Sequence, residues 1–378
     1  MDTATLLKNI RQLSDKFSQS RADRQRRRAL DRADFEALHN AGFTQVGLPS
    51  SAGGMWSDVH KSVRPICEAL RYLARGDSSV ALVSAMHPAV LSYWLTVPEQ
   101  ETNVEGWDAQ TEQIFQSIRD GHWWGTITSE PGTGGDVART RTRAECGDSP
   151  LEYRLSGQKH FGSGTGMSSF MVTTAVPEGE ETPDWFYVDM HNVPWDGSQG
   201  LTLIAEWDGH GMTATQSHGM KFDRFPARRI ASKGHLADVA ARTGGFIGCL
   251  FAAVIVGIVE VAADTAREKL DLKSARPYEQ VEWTRVELEC WLIGQALDGM
   301  IRAVEQQEDA RLDVLKGKTA ISELAESVMT RLCRIVGGGT FSRHSPFGYW
   351  FEDVRALGFL RPPWGLAFET LIESLTAE

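Results

Sequence analysis

Between residues 121 and 232 the hydrophobic rhythm of the chain changes, and that change limits what it can fold into. Before it, "TLLKNIRQLSDKF", "DRADFEALHNAGF" and "SVRPICEALRYLARG" carry apolar residues at helical spacing. Within it come short runs rich in Val, Thr, Phe, Tyr and Trp, among them "WWGTITS", "SFMVTTAV", "DWFYVDM" and "LTLIAEW", separated by Gly, Pro, Asp and Asn turns. After it helices return in "GGFIGCLFAAVIVGIVEVAADTAREKL", "VEWTRVELECWLIGQALDGMIRAVEQQ" and "LAESVMTRLCRIVGGG". This order predicts an α+β multidomain chain: an N-terminal α-helical domain over 1–120, a middle antiparallel β-barrel domain over 121–232 and a C-terminal helical bundle over 233–378.

A length of 378 residues suits two or three packed units. The net charge of -11 argues against a nucleic-acid or anionic-membrane surface, which attracts basic faces. The basic run "RQRRRALDR" (24–32) reads as a solvated helix face, and the uncharged stretch 243–259 as a buried helix, short for a membrane span. Five cysteines without a C-x-x-C pair predict neither a disulfide framework nor a thiolate metal site and fit a reducing cytoplasm. The N-terminal segment is amphipathic and is read as no signal peptide.

Three stretches carry candidate chemistry. "TSEPGTGGD" (128–136) leaves an apparent strand through three glycines beside hydroxyls, as a tight barrel turn requires and as a ligand approaching bare main chain also requires. "SGQKHFGSGTGMSSFMVTTA" sets Phe161 and Ser163 two residues apart, on one strand face, where a ring and a hydroxyl can address one ligand plane. "EWDGHGMTATQSHGMKFDRFP" adds a Thr/Ser/His cluster.

Taken together and in this order, these stretches resemble the middle domain of the acyl-CoA dehydrogenase superfamily, whose pattern is roughly T-E-P-x-x-G-S-D, G-x-K-x-[WF]-x-[TS] and W-x-x-x-G-M-R-x-T-x-S. The resemblance extends over nearly the whole chain, to "AGFTQVGLPSSAGG", "GDSSVALVSAMH" and "VGGGTFSRHSPFGYWFEDVRA". It implies the acyl-CoA dehydrogenase fold with a C-terminal four-helix bundle, a bound FAD with FMN as the alternative, and a homo-oligomer, dimer or tetramer. By position it places Ile127, Thr128 and Ser129 at the flavin ring, Gly134 and Gly135 at the ribityl or pyrophosphate part, Phe161 against the ring and Ser163 near flavin N5. It makes Lys273 the counterpart of a residue that grips the cofactor's far end from a neighbouring subunit, and Gly337 and Gly338 of "VGGG", in the stretch similar to G-G-x-G-[YF], further cofactor-binding residues.

The chain departs from that pattern where a dehydrogenase needs its base. The family removes an α-proton with a carboxylate shortly after R-D-x-R-A. Here "EDVRALGFLRPPWGLAFE" has no acid between Asp353 and Glu369, Arg361 takes the approximate place, and no Asp or Glu occurs from Val239 to Val259. Two readings therefore stand: hydride transfer from an acyl-CoA or related small substrate to flavin N5, with an electron-transfer flavoprotein as partner; or the superfamily's reduced-flavin monooxygenase branch, which works through a C4a-peroxide, needs no α-carbon base and draws on a flavin reductase. His87 in "SAMHPAV" is the expected proton donor in the second reading, and Arg361 a contact for an anionic substrate group. His160, His210 and His218 read as structural or turn residues.

Overall fold

The computed structural model describes residues 1–232 and 236–376, so the expected start of the C-terminal region at 233–235 lies outside the described residues. The chain opens with α1 (Thr3–Gln19), α2 (Arg21–Arg26), α3 (Arg32–Asn40), α4 (Val59–Gly76), α5 (Ser78–Leu95) and α6 (Trp107–Arg119). The strands follow: β1 (Trp124–Thr126), β2 (Arg143–Cys146), β3 (Glu152–Gly162), β4 (Phe170–Pro177), β5 (Asp184–Asp189), β6 (Leu201–Ala205) and β7 (His218–Arg229). Helices close it: α7 (Leu236–Lys269), α8 (Pro277–Gln306), α9 (Arg311–Val336), α10 (Pro346–Val354), α11 (Ala356–Phe359) and α12 (Trp364–Thr376).

The barrel closes through one strand. β4 pairs with β5, β5 with β7, β7 with β3 and β3 with β2, all antiparallel, and β2 returns to β4. That last pairing is parallel, as is β1 with β4, because β1 and β2 share one edge of β4: Thr126 sits opposite Val172 and Arg143 opposite Val176. The chain between them is an excursion off that edge, and the glycine-rich turn is its outer part.

Two helices organise the core. α5 is apolar on every face and buried from Ser79 to Trp94; the Asp77 carboxylate starts it by accepting the Val80 N–H at 2.9 Å. α7 runs about 51 Å and packs against α4, α5, α8 and α9. It is long and apolar enough to cross a membrane, but 83% of its apolar window is buried within the protein, which makes it a core helix.

The basic run is a solvated face only in part: Arg26, Arg28 and Arg32 are exposed, but two of its arginines turn inward. Arg24 and Arg27 each bridge Asp34 and Asp77 at 2.6–2.8 Å, pinning the α2–α3 segment to the start of α5. Those acids lie up to 53 residues away along the chain, so local sequence could not show the pairing.

The three regions meet at Asp353 on α10. Its buried carboxylate accepts Ser78 Oγ–H of α5 at 2.6 Å and the Met212 N–H beside the barrel at 2.5 Å. Burial outweighs these bonds and raises its pKa from 3.8 to about 6. Between those values the folded protein keeps a proton that the unfolded chain has released, so stability falls as pH rises through that window, by about 3 kcal/mol in all. Asp353→Asn offers the Met212 N–H the same kind of acceptor without the charge. Thermal melts from pH 4 to pH 7 should show its Tm changing less than that of the wild type; an identical profile excludes Asp353 as the titrating group.

Candidate active site

The excursion after β1 is held from beneath by a buried ion pair. Glu130 accepts the main-chain N–H groups of Arg141 and Thr142 at 2.7 and 3.1 Å, the Thr142 hydroxyl at 2.7 Å and Lys159 Nζ of β3 at 2.6 Å. Lys159 is fully buried and also reaches Thr174 Oγ1 at 3.2 Å. Burial pushes Lys159 down to about 8 although Glu130 supports its charge. Burial alone would raise Glu130, but Lys159 and the hydrogen bonds more than offset this and leave it below its usual value. Both groups are charged at neutral pH, and together they fasten the turn to the barrel.

Above this pair the main chain is bare. Gly134 and Gly135 have φ of 66° and 88°; a Cβ on Gly134 would meet nothing within 4 Å, and one on Gly135 would meet Pro363 Cγ at 3.0 Å. Beside the turn, a register shift between Lys159 and Gly162 rotates β3 outward. It leaves Phe161 with φ 57° and 64% exposed, its ring 6.3 Å from that of Trp207. A bulky aromatic in the left-handed region, turned to solvent, is the kind of strain that functional sites retain.

Ser163 heads a line of hydroxyls. Thr215 donates to the Met212 carbonyl at 2.8 Å, so its oxygen accepts from Ser217 at 2.8 Å and Ser217 in turn accepts from Ser163 at 2.9 Å. The direction of this relay is set at its buried end, and it leaves Ser163 Oγ with lone pairs. Thr215 and Ser217 belong to the hydroxyl-rich stretch "GMTATQS", whose alternating hydroxyls were the sequence signal for them.

The opposite wall is the segment after α11. Arg361 donates from Nη2 to Thr128 Oγ1, and Pro363, two residues on, packs on Gly135. Lys318 of α9, itself buried, anchors the segment by donating to the carbonyls of Leu360 and Pro362 at 2.8 and 2.6 Å. Among the described residues neither Arg361 nor Lys318 has a carboxylate ion-pair partner. Burial pushes Lys318 down to about 8, and lowers Arg361 from its usual range despite Tyr93 and Asp136 nearby.

Thr128, Ser129, Gly134, Gly135, Phe161 and Ser163 thus lie on the barrel side, Ser129 bridged to His160, and the C-terminal segment meets them through Arg361 at Thr128 and Pro363 at Gly135; the space between the two is the candidate crevice. Other expected site residues lie elsewhere. Ile127 is fully buried in the barrel core, its N–H bonded to Val172 O at 2.9 Å: strand alternation turns it away from the face of Thr126 and Thr128. His87 is enclosed within α5, with Nδ1 accepting the Trp124 N–H at 3.2 Å and Nε2–H donating to Thr44 O at 3.1 Å. Burial pulls its pKa to about 4, so it stands as a neutral strut and not as a proton donor. Lys273 lies just beyond α7, and Gly337 and Gly338 just beyond α9. From Lys318, at the crevice, to Val336 α9 rises about 27 Å, and α7 runs parallel to α9, so one chain does not bring these residues to the crevice. His160 and His218 are tied into the barrel, His218 Nδ1 accepting the Trp207 N–H at 2.9 Å, while His210 is exposed.

Lys159→Met leaves Glu130 charged and buried without its cation and should cost about 3–5 kcal/mol, whereas adding Glu130→Gln should recover part of that loss. Urea melts of the two variants measure both; equal loss in single and double variants means the pair is not coupled.

No family model matches the chain. A putative acyl-CoA dehydrogenase, YdbM of Bacillus subtilis, is 22% identical over 98% of this chain and 96% of its own length. A dibenzothiophene monooxygenase of Mycolicibacterium goodii is 25% identical over 94% of this chain and 85% of its own. Among solved structures, butyryl-CoA dehydrogenase from Megasphaera elsdenii superposes with a TM-score of 0.82 at 18% identity over all of both chains. FMN-bound TdsC from Paenibacillus sp. A11-2 gives 0.79 at 16% over 96% of this chain and 95% of its own. The fold, the ordered motifs and these relatives agree: along nearly its whole length the chain is similar to proteins of the acyl-CoA dehydrogenase superfamily, flavin monooxygenases among them.

Proposed function

We propose that the protein is a flavin-dependent oxidoreductase working as a reduced-flavin monooxygenase on a small-molecule substrate. One observation carries this choice over dehydrogenation: the segment on the crevice wall presents Arg361, a cation, where a carboxylate base would have to stand. Removing a proton from carbon needs a group that accepts one, and a guanidinium cannot. Glu369 is exposed on α12 and Glu206 on the barrel surface, so neither substitutes for it.

The residues fit a flavin. Phe161 offers an exposed ring face, Gly134 and Gly135 open main chain for a phosphate, and Ser163 lone pairs for an N–H. FMN is the flavin bound in the TdsC structure that this chain resembles in fold, and it is the cofactor of this reading; the adenosine half of FAD would call for the far end of a second copy. When bound, the reduced flavin supplies two electrons to dioxygen, one oxygen atom passing to substrate and the other leaving as water. The relay polarity supports the reduced form: Ser163, expected near flavin N5, would accept from the N5–H that only reduced flavin carries. Arg361 orients substrate, and a flavin reductase provides the electrons. A homo-oligomer is part of this reading: α8 exposes Tyr278, Val281, Leu288, Trp291 and Leu292, a row that a second copy would cover.

Anaerobic addition of acyl-CoA esters to the FMN-loaded protein should leave the flavin oxidised, while the chemically reduced protein should transfer labelled oxygen from dioxygen to at least one member of an aromatic panel of indole, dibenzothiophene and benzoate. Bleaching by any acyl-CoA ester would return the protein to the dehydrogenases. Ser163→Ala should slow oxygen transfer by about 100-fold with FMN affinity retained; an unchanged rate removes Ser163 from the chemistry.

A further inference from the structure

Resting on the reading above, we propose that Arg361 docks a carboxylate carried by the substrate, so that the molecule oxygenated is a small organic acid. The guanidinium has one hydrogen-bond partner among the described residues, Thr128 Oγ1, although it carries five N–H donors. It is partly buried, and no acidic side chain pairs with it. The nearest acid to influence it, Asp136, spends an oxygen on the Ala138 N–H at 2.9 Å. Lys318 adds a second buried cation without a carboxylate, its donors given to the two carbonyls that flank Arg361.

A pair of cations taken from water without counter-ions is costly unless an anion arrives. The planar fork of arginine matches the two oxygens of a carboxylate. Lys159, a third buried cation in the region, differs in having Glu130 at 2.6 Å, and Arg139 and Arg141 of the turn are exposed to water, so the desolvated surplus charge belongs to the wall.

The position of Arg361 selects substrate over cofactor. The segment runs along the crevice with Arg361 at Thr128 and Pro363 at Gly135, two residues further on. The glycine end is the phosphate end, so Arg361 lies at the ring end, where the reacting atom must be. A carboxylate held there fixes one end of the substrate while the rest lies against Phe161.

Benzoate and hexanoate, with benzamide and hexanamide as uncharged matches, test the proposal on protein with and without FMN. The acids should raise the Tm of the wild type and the amides should not, and in the loaded protein only the acids should perturb the flavin spectrum. Arg361→Ala should weaken acid binding by about ten-fold or more, Arg361→Lys should retain part of it, and FMN affinity should stay constant in both. Because Arg361→Ala removes an uncompensated charge, its Tm without acid should match or exceed that of the wild type; Arg361→Gln is the second variant. Equal binding of acids and amides, or acid binding unchanged in Arg361→Ala, overturns the proposal. So does a loss of FMN affinity with acid binding intact, which would assign the guanidinium to the flavin. A protein that takes up no flavin yet binds the acids through Arg361 would instead overturn the monooxygenase reading alone.

Discussion

The architecture depends on one buried carboxylate that belongs to three regions at once. Asp353 stands on a C-terminal helix, takes a hydroxyl from the first residue of α5 and a main-chain N–H from the loop before β7. Around it, Arg24, Arg27, Asp34 and Asp77 form a second junction, so the start of α5 is fixed from both sides. The crevice wall begins eight residues after Asp353. Its placement against the barrel therefore follows from this junction and from the grip of Lys318, not from contacts of its own exposed residues.

The opposite wall has its own foundation. An excursion of the main chain off a strand edge exposes backbone and would be mobile if left to itself. Here the Glu130 carboxylate gathers N–H groups from the returning strand and ties them to Lys159. The glycines above can then remain bare for a ligand while the turn keeps its shape. The ion pair is thus a device of positioning, at some expense of desolvation, and the strained Phe161 two residues from Lys159 is held by the same support.

Much of this was legible in the sequence. The strands announced themselves through β-branched and aromatic runs, and α5 and α7 through apolar residues on every face. The ordered motifs pointed to Thr128, Ser129, Gly134, Gly135, Phe161 and Ser163, and the missing acid pointed to Arg361; the structure sets Arg361 against Thr128 and Pro363 against Gly135. What was hidden depends on pairing at a distance. Residues 127, 128 and 129 cannot all face one way on an extended chain, and the structure sends Ile127 inward. Glu130 and Lys159 are 29 residues apart, and nothing short of the barrel register reveals that they touch. His87 looked chemical because the monooxygenase resemblance calls for a proton donor and an ordinary histidine titrates near neutrality; only the enclosure of α5 shows both its nitrogens used by main chain.

The two walls of the crevice have separate origins in the chain. In the proposed function, residues 126–163 build the cradle and residues 353–363 carry the side chain that faces the substrate. A change at position 361 leaves the cradle's hydrogen bonds intact except for one to a threonine hydroxyl. Cofactor retention and substrate choice can therefore diverge independently during descent, so a lineage built this way can exchange one chemistry for another by rewriting a single short stretch of wall.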